Sequence, residues 1–340
     1  MNAETCSALT GRYAGLRVGV VGDYFLDRYL HIDPARAETS IETALPVHNV
    51  VEVRALPGAA GTIVNNLVAL GVGTIHVVGF CGDDGEGYEL RRGLAALPGV
   101  SLEDLVTSPW RRTPVYCKPL MIEDGRPPRE LNRLDSKNWT ATPDALRDDL
   151  AARLRSLAGR VDALILLDQV DLDGTGVVTT PVREAAGAAL AARDGLTVLA
   201  DSRRGLGGFP PMGFKMNAAE LARMTGTPAT ADPDAVRTQA AGLAGLTGRP
   251  VFVTLAERGV VGAVPGRPPE HVAAHPVRGP IDVVGAGDSV TANLAVALAA
   301  GASVRGAMEL AMAAASVVVH QLGTTGTASP GQIAARLAEV

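Results

Sequence analysis

Cysteine is scarce in this 340-residue chain: Cys6, Cys81 and Cys117 lie far apart and form no Cys-x-x-Cys pair. That spacing argues against a disulfide framework and a thiolate zinc site, and it fits a reducing compartment. The six histidines occur singly, without metal-ligand spacing, so packing or surface roles are expected of them. Clustered positive charge is missing as well. The formal net charge is −5 and the cations, nearly all Arg, are scattered, which speaks against a nucleic-acid partner. Apolar runs are short: a stretch such as Asn293 to Ala302 cannot cross a bilayer, and Met1 to Arg17 lacks the basic-then-apolar pattern of a secretory signal. No Gly-x-Gly-x-x-Gly follows the first apolar strand, which removes the main support for a dinucleotide-binding oxidoreductase. A cytoplasmic protein without membrane or nucleic-acid partners is therefore expected, one that meets anionic ligands with local groups. With 47% hydrophobic residues, the chain can bury a large core.

What is present is concentrated in Asp282-Val283-Val284-Gly285-Ala286-Gly287-Asp288, which opens an Ala/Leu/Val run with helical spacing from Ser289 to Leu298. Backbone N–H groups at a helix start have no partner within the helix and carry partial positive charge. Gly285 and Gly287 let that backbone approach a phosphate closely, because no Cβ intervenes. Asp288 beside a phosphate would repel it, unless its task is to take a proton from the hydroxyl that attacks that phosphate. The plainer alternative is a tight turn with Asp288 as an ordinary helix-start residue.

Leu16 to Val21 reads as a buried strand that ends in Gly22-Asp23-Tyr24-Phe25-Leu26-Asp27-Arg28-Tyr29. Carboxylates at the carboxyl end of a first strand sit where open α/β sheets bind ligands, and each accepts hydrogen bonds from two sugar hydroxyls. A solvated loop is the alternative. Residues 44–54 alternate as a half-exposed strand, with Leu45, Val47, Val51 and Val53 on one side and His48, Glu52 and Arg54 on the other. With Thr113 to Ile122 and Glu130 to Asp135, these extended pieces interrupt the βα rhythm. They predict a small β lid over the first strand's end, formed by about residues 28–55 and 110–136, whose apolar face suits a homodimer. The lid carries Arg111, Arg112, Lys118 and Arg133; if two of them face the cleft they would hold a phosphate already on the sugar, and edge-strand charge is the alternative. Pro57 to Gly71 leads small residues into a helix over Ile63, Val64, Leu67 and Leu70, with Asn66 on its surface or in a packing contact. Gly82 to Gly87 lacks calcium-loop spacing and reads as a turn into a helix. From Thr142-Pro143, a cap and first-turn pair, helices and strands alternate as in a parallel sheet with covering helices, ending in a buried helix over Val304 to Gln321. Asp168, Asp201, Asn217 and Glu220 all follow strand ends.

Gly-Ala-Gly-Asp behind an Asp and two apolar residues resembles the C-terminal signature of the ribokinase-like (phosphofructokinase B type) carbohydrate kinases, and the resemblance runs in order through Thr327. It implies a ribokinase-like three-layer α/β/α sandwich with a mostly parallel sheet and a small lid, as one domain over residues 1–340. It further implies Asp288 as the catalytic base and the amides of Gly285, Ala286 and Gly287 as the anion hole. Gly58 belongs to the N-terminal glycine signature, with Ala59 at its second glycine and Thr62 at the substrate-binding Asn. Lys215-Met216-Asn217-Ala218-Ala219-Glu220 resembles the Asn-x-x-Glu element, so Asn217 and Glu220 are expected to position Mg2+ through water. Thr254-Leu255-Ala256-Glu257-Arg258-Gly259 resembles the nucleotide turn, with Ala256 replacing a glycine, and sets Thr254, Glu257 and Gly259 at ATP. Asp282, Val284 and the loop Gly323 to Gly326 are expected around a monovalent cation such as K+. Val20 to Tyr29 and Glu130 to Asp135 look most like the heptose 7-phosphate kinase branch, here as a kinase module alone. The implied activity is ATP-dependent phosphorylation of a sugar or sugar-phosphate hydroxyl, with Asp23, Asp27, Gly58, Thr62, Arg112, Lys118 and Arg133 around the acceptor. Two alternatives stay open: a nucleoside kinase of the same fold, and a catalytically silent sugar-phosphate sensor, which Ala59, Thr62 and Ala256 favour and the retained Asp288 opposes.

Overall fold

The computed structural model describes residues 1–123 and 125–339. Apolar runs such as Ala163–Asp168 and Arg17–Gly22 lack polar alternation, so they are stable only as inner strands covered on both faces. They lie at the centre of a ten-stranded sheet. Its order is Glu270–Val272, Val260–Ala263, Val251–Thr254, Gly213–Asn217, Thr197–Ser202, Ala163–Asp168, Arg17–Gly22, Thr74–Gly82 and Val100–Ser101, with Leu105–Ser108 also pairing to Thr74–Gly82. Pairing is parallel throughout except at Val260–Ala263 and Glu270–Val272. Helices Ala60–Ala69, Ala286–Ala299 and Val304–Val318 pack into the core on one face. Helices Asp144–Ala158, Thr180–Ala192 and Pro233–Thr247 pack into the core on the other. This is the expected α/β/α sandwich, and the parallel strands direct their carboxyl ends, with Asp23, Asp168, Asp201, Asn217 and Thr254, to one edge.

A second sheet of five strands stands beside that edge, in the order Arg129–Glu130, Val115–Met121, Tyr24–Ile32 and Val50–Ala59, with Leu134–Ser136 also paired to Val115–Met121. Two expectations change here. The stretch after Gly22 is a strand over Tyr24–Ile32, which removes the solvated-loop alternative, because it is sandwiched between Val50–Ala59 and Val115–Met121, whose ladders satisfy its backbone on both sides. The strand placed at residues 44–54 starts at Val50 and continues to Ala59. Asn49 turns back to donate from Nδ2 to the Arg36 carbonyl at 2.8 Å and to Glu38 at 2.9 Å, while Pro46–Val47 pairs with Glu38–Thr39 instead.

Smaller corrections follow the same logic. Thr142 does not cap its helix: its hydroxyl donates to the Gly176 carbonyl at 2.7 Å, and the helix starts at Asp144 with no side-chain cap. Of the two readings for Asn66, the packing contact holds: it is buried and donates to the Thr62 carbonyl at 2.9 Å. The final core helix stops at Val318.

Among the described residues, three non-glycines have positive φ: Ala44, Ala59 and Ala256. Two of them are the positions where alanine stands for glycine in the glycine signatures. Ala59, at φ 51° and ψ −116°, has a backbone that suits glycine alone, and it forms the entry to helix Ala60–Ala69. Ala59→Gly is therefore expected to stabilise the fold by about 1 kcal/mol in urea unfolding. Ala152→Gly, on the exposed side of helix Asp144–Ala158, should cost about 1 kcal/mol. Equal losses in both variants would mean that Ala59 is unstrained.

Candidate active site

Helix Ala286–Ala299 begins at Gly285, whose φ of 81° is left-handed, and no side chain caps the helix. Among the described residues the N–H groups of Gly287 and Asp288 meet no acceptor. They form the bare, partially positive helix start that the sequence predicted. The approach to it is held by Asp282, whose N–H donates to the Val319 carbonyl at 2.8 Å and whose carboxylate accepts from the N–H groups of Val284 (3.0 Å) and Gly323 (3.2 Å). These bonds bring the 323–326 loop beside Gly285, where an added Cβ would lie 3.3 Å from Thr325. Asp282 thus orders the loop at the expected cation position.

Asp288 lies half-buried in the first turn. Burial, then the neighbouring Asp201 carboxylate, push its pKa up to about 7, with Lys215 opposing and Asp27 adding to the rise. Lys215, on strand Gly213–Asn217, donates from Nζ to Asp201 Oδ2 at 2.8 Å, and Thr291 Oγ1 donates to the same oxygen at 3.0 Å. Burial works against the Lys215 charge, but Asp201 more than offsets it, so its pKa is raised.

Opposite this floor, the small sheet presents one face. Cross-strand partners share a face, so Asp27 aligns with Leu56 and Tyr116, and Tyr29 aligns with Arg54 and Lys118. Asp27 Oδ1 is buried and has no hydrogen-bond partner among the described residues; Lys118 Nζ stands 3.8 Å from it and donates to Tyr29 Oη at 3.3 Å. Burial raises the Asp27 pKa, against the pull of Lys118 and Arg133. Gly58 makes room for this carboxylate, since a Cβ there would sit 2.7 Å from Asp27 Oδ2. Arg133 stacks over Tyr116 at 4.5 Å while pairing with Asp135 at 2.8 Å. Arg203, in the turn after core strand Thr197–Ser202, donates to Tyr116 Oη at 3.3 Å. Arg54 covers the Tyr29 ring at 4.5 Å and donates to the Gly323 carbonyl at 3.0 Å, joining the small sheet to the loop that Asp282 holds.

Several expected site residues serve elsewhere. Asp23 is buried, and its two oxygens accept the N–H groups of Gln169 and Val177, each at 2.7 Å; burial and then Asp168 raise its pKa to about 7. It ties the loop after Ala163–Asp168 to the first strand and presents no free oxygen to an acceptor. Arg111 is a buried strut, donating to the Thr140, Ala141 and Thr175 carbonyls. Arg112 is exposed, with its backbone bonded to Asn138. Thr62 is buried in the first turns of its helix.

On the other side of the anion-hole turn lies a mostly apolar cavity of about 560 Å³, lined among others by Asn217, Thr254, Glu257, Gly259 and Met312. Gly259, at φ 96°, folds the turn so that an added Cβ would strike Val272. Asn217 and Glu220 form a reciprocal capping box: Asn217 Oδ1 accepts from the Glu220 N–H at 2.9 Å, and Glu220 Oε2 accepts from the Asn217 N–H at 2.7 Å. No cluster of three metal-ligating side chains occurs among the described residues. A single carboxylate, Glu220, follows the lining residues Asn217 to Ala219 in sequence and would suit a magnesium ion carried by phosphates better than a protein-caged metal.

A family model described as pfkB family carbohydrate kinase matches residues 211–330, which include Lys215, the capping box, the 254–259 turn and the bare helix start after Gly285. Bifunctional protein HldE of Gluconacetobacter diazotrophicus is 31% identical, over 96% of this chain and 64% of that protein. Residues 211–330 are thus similar to the pfkB family of carbohydrate kinases. HldE of Azotobacter vinelandii is 34% identical over 92% of this chain and 61% of its own length, so the chain spans less than two thirds of these relatives. In fold it matches Arabidopsis thaliana ribokinase complexed with ribose and ATP, with TM-score 0.68 and 20% identity over 95% of this chain and 98% of that one. Escherichia coli phosphofructokinase-2 in complex with potassium gives TM-score 0.71 and 19% identity over 95% and 99%.

Lys215, Thr291, Arg54, Tyr29 and Arg203 were not assigned a role from the sequence. Lys215 alone left a signal, a charge between apolar residues of a buried strand.

A carboxyl whose pKa is raised on folding binds its proton more tightly in the native state, so its contribution to stability is present at low pH and is lost as pH rises. For Asp288 the loss spans the interval from about 4 to about 7. Compared by urea unfolding across that interval, Asp288→Asn should gain stability relative to the unsubstituted protein as pH rises. A difference that does not change with pH would contradict the raised pKa.

Proposed function

We propose that the protein is an ATP-dependent kinase that phosphorylates a hydroxyl of a sugar phosphate, with heptose 7-phosphate as the best-fitting acceptor. The observation that carries this reading is the convergence of three features: the unpartnered Asp27 Oδ1, the raised Asp288 carboxyl and the bare N–H groups of Gly287 and Asp288. Asp27 accepts hydrogen bonds from acceptor hydroxyls and fixes the sugar against Gly58. Asp288 takes the proton of the attacking hydroxyl; the new bond forms between that oxygen and the γ-phosphorus, the bond to the bridging oxygen breaks, and ADP leaves with the electron pair. The amides of Gly287 and Asp288 stabilise the charge on the transferring group, whereas the expected Ala286 N–H is taken by the Val283 carbonyl at 3.2 Å.

Glu220 and Asn217 would hold a magnesium ion that arrives with the nucleotide, which would supply charge neutralisation. The mostly apolar cavity lined by Thr254, Glu257 and Gly259 receives the base, and Asp282, Val284 and the 323–326 loop order a potassium-type cation site. Lys118 and Arg133, close enough to Asp27 to act on its pKa, favour an acceptor that already bears a phosphate; Arg112 is not part of this set. That preference separates the reading from a nucleoside kinase, whose acceptor is neutral. On the reverse face of the same sheet, Val53 and Leu134 are exposed at 47% and 63%, and a second copy of the chain would cover them.

Magnesium-dependent ADP release should appear with a sugar phosphate in a panel of heptose 7-phosphates, hexose phosphates, free sugars and nucleosides. Activity should fall about tenfold per pH unit below about 7 and level off above, because only the ionised Asp288 accepts a proton. Asp288→Asn should lower turnover by about 10²- to 10⁴-fold. Turnover only on nucleosides would replace the acceptor assignment; sugar-phosphate binding without any turnover would make the protein a sensor. Light scattering should give a dimer that Val53→Asp converts to a monomer.

A further inference from the structure

The charge under the anion hole is unexplained by acceptor or nucleotide binding. Lys215 lies on a strand whose neighbours Phe214 and Met216 are in the apolar core, and its side chain is only 9% exposed. An ammonium has three N–H donors, and among the described residues Lys215 Nζ has one acceptor, Asp201 Oδ2 at 2.8 Å. Asp201 is fixed in turn by Thr291, on the same helix as Asp288 and one turn beyond Gly287. A Cβ built on Gly287 would lie 3.3 Å from Nζ, so the ammonium rests directly against the backbone of the anion hole. The missing side chain at Gly287 therefore opens two approaches, one to the amide from the cleft and one to the ammonium behind it.

We propose that Lys215 is a catalytic residue: Asp201 holds its ammonium behind Gly287, where an unused N–H donates to an oxygen of the transferring phosphoryl group. This inference rests on the kinase reading and adds to the backbone amides a full positive charge from the chain itself. Phosphoryl transfer spreads negative charge over the equatorial oxygens, and a preorganised cation in a water-poor site stabilises that charge without reorganising. The competing role is confined to the pair: Lys215 would neutralise Asp201 and limit the upward shift of the Asp288 pKa, touching no ligand.

Two variants separate these roles. Lys215→Met leaves Asp201 buried without its cation and is at risk of misfolding. The double variant Asp201→Asn with Lys215→Met removes both charges and keeps a side-chain oxygen for Thr291. Calorimetric titration with magnesium and either ADP or the β,γ-imido analogue of ATP reads contact with the γ-phosphate apart from turnover. The unsubstituted protein should favour the analogue over ADP. The double variant should bind ADP within about threefold of that protein, lose at least about tenfold in analogue preference, and turn over about 10²- to 10³-fold more slowly. If it keeps the analogue preference and the turnover, Lys215 serves only to neutralise Asp201 and the proposal is overturned while the kinase reading stands. If the unsubstituted protein binds neither nucleotide, the kinase reading itself fails, and the role of Lys215 with it.

Discussion

At the floor of the cleft, Lys215 and Asp201 form a buried ion pair at 2.8 Å, and the chemistry around it depends on their balance. Two charges removed from water are stable there only because each satisfies the other and Thr291 adds a further hydrogen bond. Their opposing fields act on the same carboxyl. Asp201 raises the Asp288 pKa and Lys215 lowers it, and burial brings the result to about 7. The carboxyl proposed as the base is thereby poised near neutrality, and the cation behind the helix start offsets the repulsion between that carboxylate and a second anion.

The second constraint is the division of the small sheet into two faces. Strand alternation places Asp27, Tyr29, Arg54, Tyr116 and Lys118 on one side, and Leu30, Val53, Cys117 and Leu134 on the other. A one-residue slip in register would exchange these sets and remove Asp27 from the cleft. Gly58 protects that arrangement by giving the carboxylate space, and Arg54 couples the sheet to the 323–326 loop. The loop is bound to Asp282, three residues before Gly285, so sheet and anion hole share one set of hydrogen bonds.

Alanine at positions 59 and 256 has a related meaning. The backbone keeps the positive φ that glycine would adopt freely, so the turns are retained at a conformational cost. Both turns border the cleft: one leads into the helix that carries Thr62, the other lines the large cavity.

The sequence by itself determined the features that depend on local chemistry. Gly285 and Gly287 before an apolar helical run specify a bare helix start, and uninterrupted apolar runs separated by helical stretches specify a covered parallel sheet. The position of Asp288 in the first turn follows from the same short segment. What only the tertiary structure decided is which of several similar side chains reaches the cleft. Asp23 and Asp27 are four residues apart with the same carboxylate, yet Asp23 is consumed by the amides of Gln169 and Val177, about 150 residues away, while Asp27 keeps an unpaired oxygen. Arg111 and Arg112 likewise differ from Lys118 only through the carbonyls and strands they meet. The role of a charge is set by its long-range partners and its desolvation, and a linear sequence encodes neither without the fold.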